Sequence, residues 1–143
     1  MGRQMKIEIS NADLIDKITI LELKMDNLTC KKSKKYIQDE YDLIAPHEMK
    51  SSYREELKNV NNGIWQFRDI NRQLHSKGVY NNTFIANARR IIELNDERVK
   101  LKQKINTETN SNITNQRGYD TPITTPSPSF GSLDESVFFM DRH

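Results

Sequence analysis

The chain has 143 residues, with 22 Lys and Arg against 20 Asp and Glu, which gives a formal net charge of +2 at pH 7. This length suits a single domain, and the balanced charge makes nucleic-acid binding an unfavoured function. The one cysteine excludes an intramolecular disulfide. No apolar run reaches the roughly 18 residues that a membrane helix needs. We therefore expect a cytoplasmic protein without a membrane span.

The first half of the chain predicts two helices. An extended lead-in ends at Ser10, whose side chain is placed to cap a helix over residues 11–29. Residues 31–35 (KKSKK) are expected to form a basic loop, for which a solvated linker and a phosphate contact are the two interpretations. A shorter helix over residues 34–44 ends before Pro46, because proline cannot continue a helix.

The second half predicts two longer helices and a tail. The third helix is expected over residues 50–76, with Gly78 as its C-terminal glycine. Thr83 is placed to cap a fourth helix over residues 84–106. Residues 107–143 are rich in Ser, Thr, Asn and Pro, so they bury too little apolar area to offset their conformational entropy.

These elements predict an all-α fold, an antiparallel helical bundle of three long helices and one short helix. The helical domain is expected over residues 5–106, with a disordered tail over residues 107–143. Residues 137–140 (VFFM) form an apolar cluster within that tail. They are either incidental apolar content or a short docking segment that folds onto this protein or another.

Two apolar residues of the first helix lie outside its main apolar stripe. By helical spacing, Ile20 and Leu23 fall on the side that a solvated helix keeps polar. This helix is therefore expected to contact neighbours on two sides or to pack against a partner chain. On that basis we predict self-association as a homodimer.

Several polar residues fall inside the apolar faces of the predicted helices, where an unpaired charge costs several kcal/mol. Glu22 is the acidic residue placed in this way on the first helix, and it is expected to pair with Arg98 or Lys102. One carboxylate cannot balance both cations, so Asp16, Asp69 or an anionic ligand is expected as well. The candidate ligand-binding residues are Lys17, Glu22, Asn61, Asn95, Arg98 and Lys102.

Two interpretations of this constellation stay open. It is either a buried salt-bridge network that fixes helix register, as polar core residues do in coiled coils, or a cationic pocket for a small carboxylate or phosphate ligand. No metal site is predicted, because the three histidines are scattered and Cys30 is alone. No cofactor motif is present, and no catalytic residues are predicted.

The sequence resembles an uncharacterised family, DUF6165, over roughly residues 5–119. The first block of the resemblance is ISNADLIDKITILELK, the second includes VNNGIW, and the third, which is the most specific, runs FIANARRIIELNDERVKLKQKIN. Asp13 stands where the family pattern has Glu, and Arg68 stands where the second block is acidic.

The resemblance implies a protein of bacteria or their phages that is associated with glycosyltransferase and surface-polysaccharide genes. It implies no activity, because the family has none assigned, and a genetic association is not a mechanism. Two functions compete. The first is a helical accessory module that binds a protein partner, and the alternative is a small all-α enzyme or anion-binding protein with a cationic pocket between helices.

Overall fold

The computed structural model of this chain describes residues 4–114, and all of its regular structure in that range is helical. The all-α fold of three long helices and one short helix is confirmed. The predicted tail beyond residue 114 lies outside the described residues. The elements in chain order are α1 (Asn11–Asn27), α2 (Lys31–Ile44), a 3₁₀ turn (Ala45–His47), α3 (Arg54–Ser76) and α4 (Asn82–Glu108).

The helix starts depend on local capping. The Ser10 hydroxyl accepts a hydrogen bond from the Asp13 amide at 3.0 Å, so the predicted cap of α1 is confirmed. The predicted cap of α4 is wrong, because the Asn81 side chain, not Thr83, accepts the bond from the Phe84 amide. The prediction of a loop for the KKSKK segment is also wrong, since α2 begins at Lys31.

Helices α3 and α4 form a long antiparallel hairpin. Gly78 has a φ of +68° at the end of α3, as predicted for its C-terminal glycine. The Gly78 amide donates to the His75 carbonyl and the Val79 amide donates to the Leu74 carbonyl, each at 2.9 Å. This is the Schellman pattern, which satisfies the last carbonyls of the helix while turning the chain back. We call the half of the hairpin where α3 begins and α4 ends the proximal half, and the half near Gly78 the distal half.

Helix α1 crosses the proximal half of the hairpin. The Ala12 amide bonds to the Asn106 side chain near the end of α4, whereas Glu22 bonds to Arg54 at the start of α3. Asp16 lies between these points and contacts both helices. Since α3 and α4 are antiparallel, this order of contacts requires α1 to pass obliquely from one helix to the other.

The core lies between α1 and the proximal half of the hairpin. It contains Ala12, Ile15, Ile20, Leu57, Val60, Ile64, Leu94, Leu101 and Ile105. Ile20 and Leu23 are both buried within one chain, because α1 packs against the hairpin and against α2. The prediction that α1 contacts neighbours on two sides is therefore confirmed. The predicted exposure of Ile20 and Leu23, on which we based the homodimer, is wrong. None of the described helices is long and apolar enough to cross a bilayer.

Candidate functional site

The centre of the predicted constellation is an ion pair between α1 and α4. The Arg98 side chain is 0% exposed, and its Nε donates to Asp16 Oδ1 at 3.0 Å while its Nη2 donates to Asp16 Oδ2. This two-bond geometry is the strongest arrangement that a guanidinium and a carboxylate form. Arg98 therefore points inward, as predicted, and Asp16 provides the second acid that the sequence required.

Three further polar groups complete the cluster around Asp16. The Asn61 side-chain amide of α3 donates to Asp16 Oδ1 at 2.9 Å and to the Thr19 hydroxyl at 3.1 Å. The Asn95 side-chain oxygen accepts from Arg98 Nη1 at 3.5 Å. Within residues 4–114 the Asn61 side-chain oxygen has no hydrogen-bond partner. Asp16 thus joins α1, α3 and α4 at one point.

The charge of Asp16 is held by its neighbours. Burial alone raises the pKa of the Asp16 carboxyl, because water solvates the ion better than protein does. The positive charges of Arg98 and Lys102 and the hydrogen bonds from Arg98 and Asn61 outweigh that effect. The pKa of Asp16 therefore lies below its ordinary value, and the group is a buried carboxylate near neutral pH.

Lys102 lies one turn along α4 from Arg98 and has its own partner on α1. Its ammonium group is 2.7 Å from Asp13 Oδ1, and the side chain is buried while Asp13 is about one-third exposed. Two inward cations of α4 thus meet two carboxylates of α1. Each cation is balanced by the chain itself, with no added anion needed for charge neutrality.

Glu22 does not pair with Arg98 or Lys102, so that prediction is wrong. Glu22 Oε2 accepts from Arg54 Nη2 at 2.8 Å and from the Tyr41 hydroxyl at 3.1 Å, and its Oε1 lies 3.1 Å from the Lys58 ammonium. Burial raises the pKa of Glu22, but the bonds from Arg54 and Lys58 lower it by a larger amount. The pKa of Glu22 therefore lies below its usual range. This second cluster fastens α2 and the start of α3 to α1.

Lys17, the remaining candidate, is not part of either buried cluster. Its ammonium lies 2.9 Å from Glu40 on α2, and both side chains are about half exposed. Such a pair contributes little to stability. The structure therefore brings Asn61, Asn95 and Arg98 together around Asp16, and it separates them from Glu22 and Lys17. A ligand-binding role for the six candidates stays a prediction.

A surface of the α3–α4 hairpin also extends beyond the six candidate ligand-binding residues. Residues spaced three and four apart share a helix face. On α3 one face carries Asn61, Trp65, Arg68 and Arg72, and on α4 one face carries Phe84, Ala88, Ile91, Asn95, Arg98 and Lys102. Asn61, Arg98 and Lys102 contact α1, so both faces point to the side of the hairpin that α1 crosses.

Helix α1 does not cover the distal half of this side of the hairpin. We call it the distal face and define it by Trp65, Arg68 and Arg72 of α3 and by Phe84, Ala88 and Ile91 of α4, bordered by Ile85 and Ile92. Ile85 and Ile92 are 53% and 55% exposed. The polar contacts of α1 with this side reach only as far as Asn61 on α3 and Arg98 on α4, so α1 covers its proximal half.

A shallow cleft of about 560 Å³ lies elsewhere, at the proximal end of the hairpin. Glu108 accepts hydrogen bonds there from the Ser52 amide at 2.8 Å and from the Ser52 hydroxyl at 2.9 Å, and Lys104 stands 5.6 Å from the centre of the Tyr53 ring. None of the six predicted site residues lines this cleft. Its lining residues are Ser52, Tyr53, Lys100, Gln103, Lys104, Thr107 and Glu108.

Comparison with known proteins identifies the family of this chain. It matches DUF6165, a family of unknown function, over residues 5–137. The chain belongs to this family. The match extends past residue 119, where the resemblance seen in the sequence ended, and it includes most of the segment predicted to be a tail. Comparisons with curated proteins and with solved structures found no match.

The match confirms the resemblance to DUF6165 seen in the sequence, but it assigns no reaction and no ligand. The buried clusters are therefore interpreted from their geometry alone. Asp16 was the residue that the sequence pattern undervalued, although it lies only three residues from Thr19 and one turn from Asp13 on the same helix. A helical wheel that gives charged inward residues the same weight as apolar ones would have placed it among the candidate ligand-binding residues.

Proposed function

We propose that this DUF6165 protein is a non-enzymatic helical interaction module that binds a protein partner on its distal face. The observation that carries the proposal is the exposure of Ile85 and Ile92 beside Ala88, which lies three residues from one and four from the other. Aliphatic side chains at this spacing form a continuous apolar strip on a helix. A strip of this kind beside a stable core is typical of a surface that packs against another chain.

The ion pairs favour this function over an anion-binding pocket. Arg98 and Lys102 are the cations that such a pocket would use, and each already contacts a carboxylate of α1. A ligand would have to displace Asp16 or Asp13, leaving a buried or half-buried carboxylate without its cation. Breaking a buried pair in this way costs several kcal/mol. We therefore assign the network to holding α1 across the proximal half of the hairpin.

The distal face also indicates the chemistry of its partner. Arg68 and Arg72 lie on the same side as the apolar residues, one turn apart on α3. A matching segment presents apolar side chains flanked by carboxylates, because arginine pairs with carboxylates in two-bond geometry. The first partner class to test is a glycosyltransferase of surface-polysaccharide assembly, which is what the family resemblance implies.

Site-specific crosslinking tests this proposal in the full chain. A photo-reactive amino acid is placed at Ile92 or, as the matched control, at Ile70. Ile70 is 43% exposed and lies nine residues after Asn61, about two and a half helical turns, on the opposite side of α3. We expect a glycosyltransferase of surface-polysaccharide assembly to crosslink from position 92 and not from position 70.

A binding titration measures how much Ile92 contributes to the affinity of the complex. Burying one isoleucine side chain contributes about 1.5–3 kcal/mol, so Ile92→Asp is expected to raise the Kd of the complex at least about tenfold. Ile70→Asp is expected to leave the Kd unchanged. A partner that crosslinks equally from both positions, or whose Kd is insensitive to Ile92→Asp, contradicts the proposal.

A further inference from the structure

The chain itself carries a segment with the chemistry that the distal face requires. Residues 134–141 read DESVFFMD, in which four apolar residues stand between Glu135 and Asp141, and Asp134 adds a third carboxylate. The face offers aliphatic and aromatic side chains together with Arg68 and Arg72. This one short segment therefore has both the apolar side chains and the negative charge that complement the distal face.

The connecting chain is long enough to bring this segment to the face. The described part of the chain ends at Thr114, close to the end of α4. Ile92 lies about 24 Å back along α4 from Glu108, at 1.5 Å per residue. A random coil as long as the connection from Thr114 to Val137 has a root-mean-square span of about 26 Å and an extended limit of about 75 Å. A connection of this length therefore spans the required distance without being stretched.

The family match supports treating this segment as part of the protein and not as an appendage. The match to DUF6165 begins at residue 5, before α1, and continues to residue 137, inside the DESVFFMD segment. The same family sequence therefore includes the hairpin and the start of the segment. A tethered segment also has a high effective concentration, in the millimolar range, so modest intrinsic affinity is enough for it to bind.

We propose that residues 134–141 dock in cis on the distal face and occupy the surface where a partner protein binds. This inference rests on the proposed function, because both use the same face. Val137, Phe138, Phe139 and Met140 supply the apolar contact with the strip formed by Ile85, Ala88 and Ile92, and the flanking carboxylates lie toward Arg68 and Arg72. A partner with the same chemistry must then displace this segment in order to bind.

Methyl NMR of the full chain tests the docking. With isoleucine methyl labelling, Phe138→Ser/Phe139→Ser is expected to shift the Ile85 and Ile92 signals and to leave the Ile70 signal in place. Phe130→Ser, which changes an aromatic residue of the same tail outside the segment, is the matched control and is expected to shift none of them. Ile85 and Ile92 signals that do not respond to Phe138→Ser/Phe139→Ser overturn the proposal.

A spin label distinguishes docking in cis from docking on a second copy. The label is attached at Met140→Cys in a Cys30→Ser background, and it is expected to broaden the Ile85 and Ile92 methyl signals of the same molecule. In a mixture of labelled-methyl chains without the spin label and spin-labelled chains without methyl labels, no broadening is expected. Comparable broadening in the mixture overturns docking in cis and assigns the face to a second copy.

The same variants separate this inference from the proposed function. Phe138→Ser/Phe139→Ser is expected to increase partner crosslinking from position 92 severalfold, because the competing segment is removed. If the segment fails to dock but Ile92→Asp still weakens partner binding, the inference is wrong and the proposed function stands. If the segment docks but the partner binding is insensitive to Ile92→Asp, the proposed function is wrong and the docking stands.

Discussion

Replacing Asp16 by alanine removes the carboxylate that joins three helices. The Arg98 guanidinium would remain 0% exposed without its counter-charge, and Asn61 would lose an acceptor. Removing one partner of a buried pair costs about 3–5 kcal/mol. Because a domain of this size has a total stability of about 5–15 kcal/mol, Asp16→Ala is expected to remove a large part of the free energy of unfolding.

Urea denaturation followed by circular dichroism at 222 nm measures this loss. Glu40→Ala, which breaks the exposed pair with Lys17, is the control and is expected to cost less than about 1 kcal/mol. Replacing both partners, as Asp16→Leu/Arg98→Met, is expected to recover most of the stability, because no buried charge is left uncompensated. If Asp16→Ala costs no more than Glu40→Ala, the assignment of the network to the stability of the fold is refuted.

Three further predictions concern acid stability, α2 and the thiol. The lowered pKa of Asp16 means that its contribution to stability is complete above about pH 4 and is lost as the pH falls toward the folded-state pKa. In Arg98→Met, burial without the counter-charge raises that pKa, so the acid-unfolding midpoint should move to higher pH, whereas an unchanged midpoint would contradict the ion pair. Helix α2 has no buried residue, and its polar contacts with α1 include the partly exposed bonds of Glu22 and Lys17, so its amides should exchange with deuterium much faster than those of α4. Glu22→Gln should accelerate α2 exchange further while leaving α4 protected, and equal acceleration in both helices would show that α2 is not an independent unit. The Ser33 amide and hydroxyl and the Lys32 amide, at the start of α2, lower the pKa of the exposed Cys30 thiol, so iodoacetamide should alkylate Cys30 faster at neutral pH than a cysteine in an unstructured peptide, with Ser33→Pro, which removes that amide, slowing the reaction.

Periodicity predicted which residues point inward but not which of them meet. The inward direction of Arg98 and Lys102 was predicted correctly, since 100° per residue fixes the face of α4. The partner on α1 was predicted as Glu22, although Asp16 and Asp13 fill that role. Asp16 and Glu22 are separated by about 9 Å along α1. The oblique crossing of α1 decides which carboxylate lies over Arg98, and no local pattern contains that angle.

The same limitation explains the treatment of α1 as a helix with an exposed apolar side. A single apolar stripe is expected when a helix has one neighbour. Helix α1 packs against the hairpin on one side and against α2 on another, so Ile20 and Leu23 are buried inside the chain. Two exposed isoleucines, Ile85 and Ile92, are instead on α4.

The bonds between the first and last helices have a consequence for how the chain is made. The amides of Asn11 and Ala12, which open α1, donate to the Ser111 hydroxyl at 3.0 Å and to the Asn106 side chain at 2.9 Å. These acceptors leave the ribosome about one hundred residues later, which is several seconds of synthesis. The first turn of α1 can therefore form these two hydrogen bonds only after α4 has been synthesised. Chains that stall before Asn106 should stay open at their amino-terminal end and be recognised by proteases there.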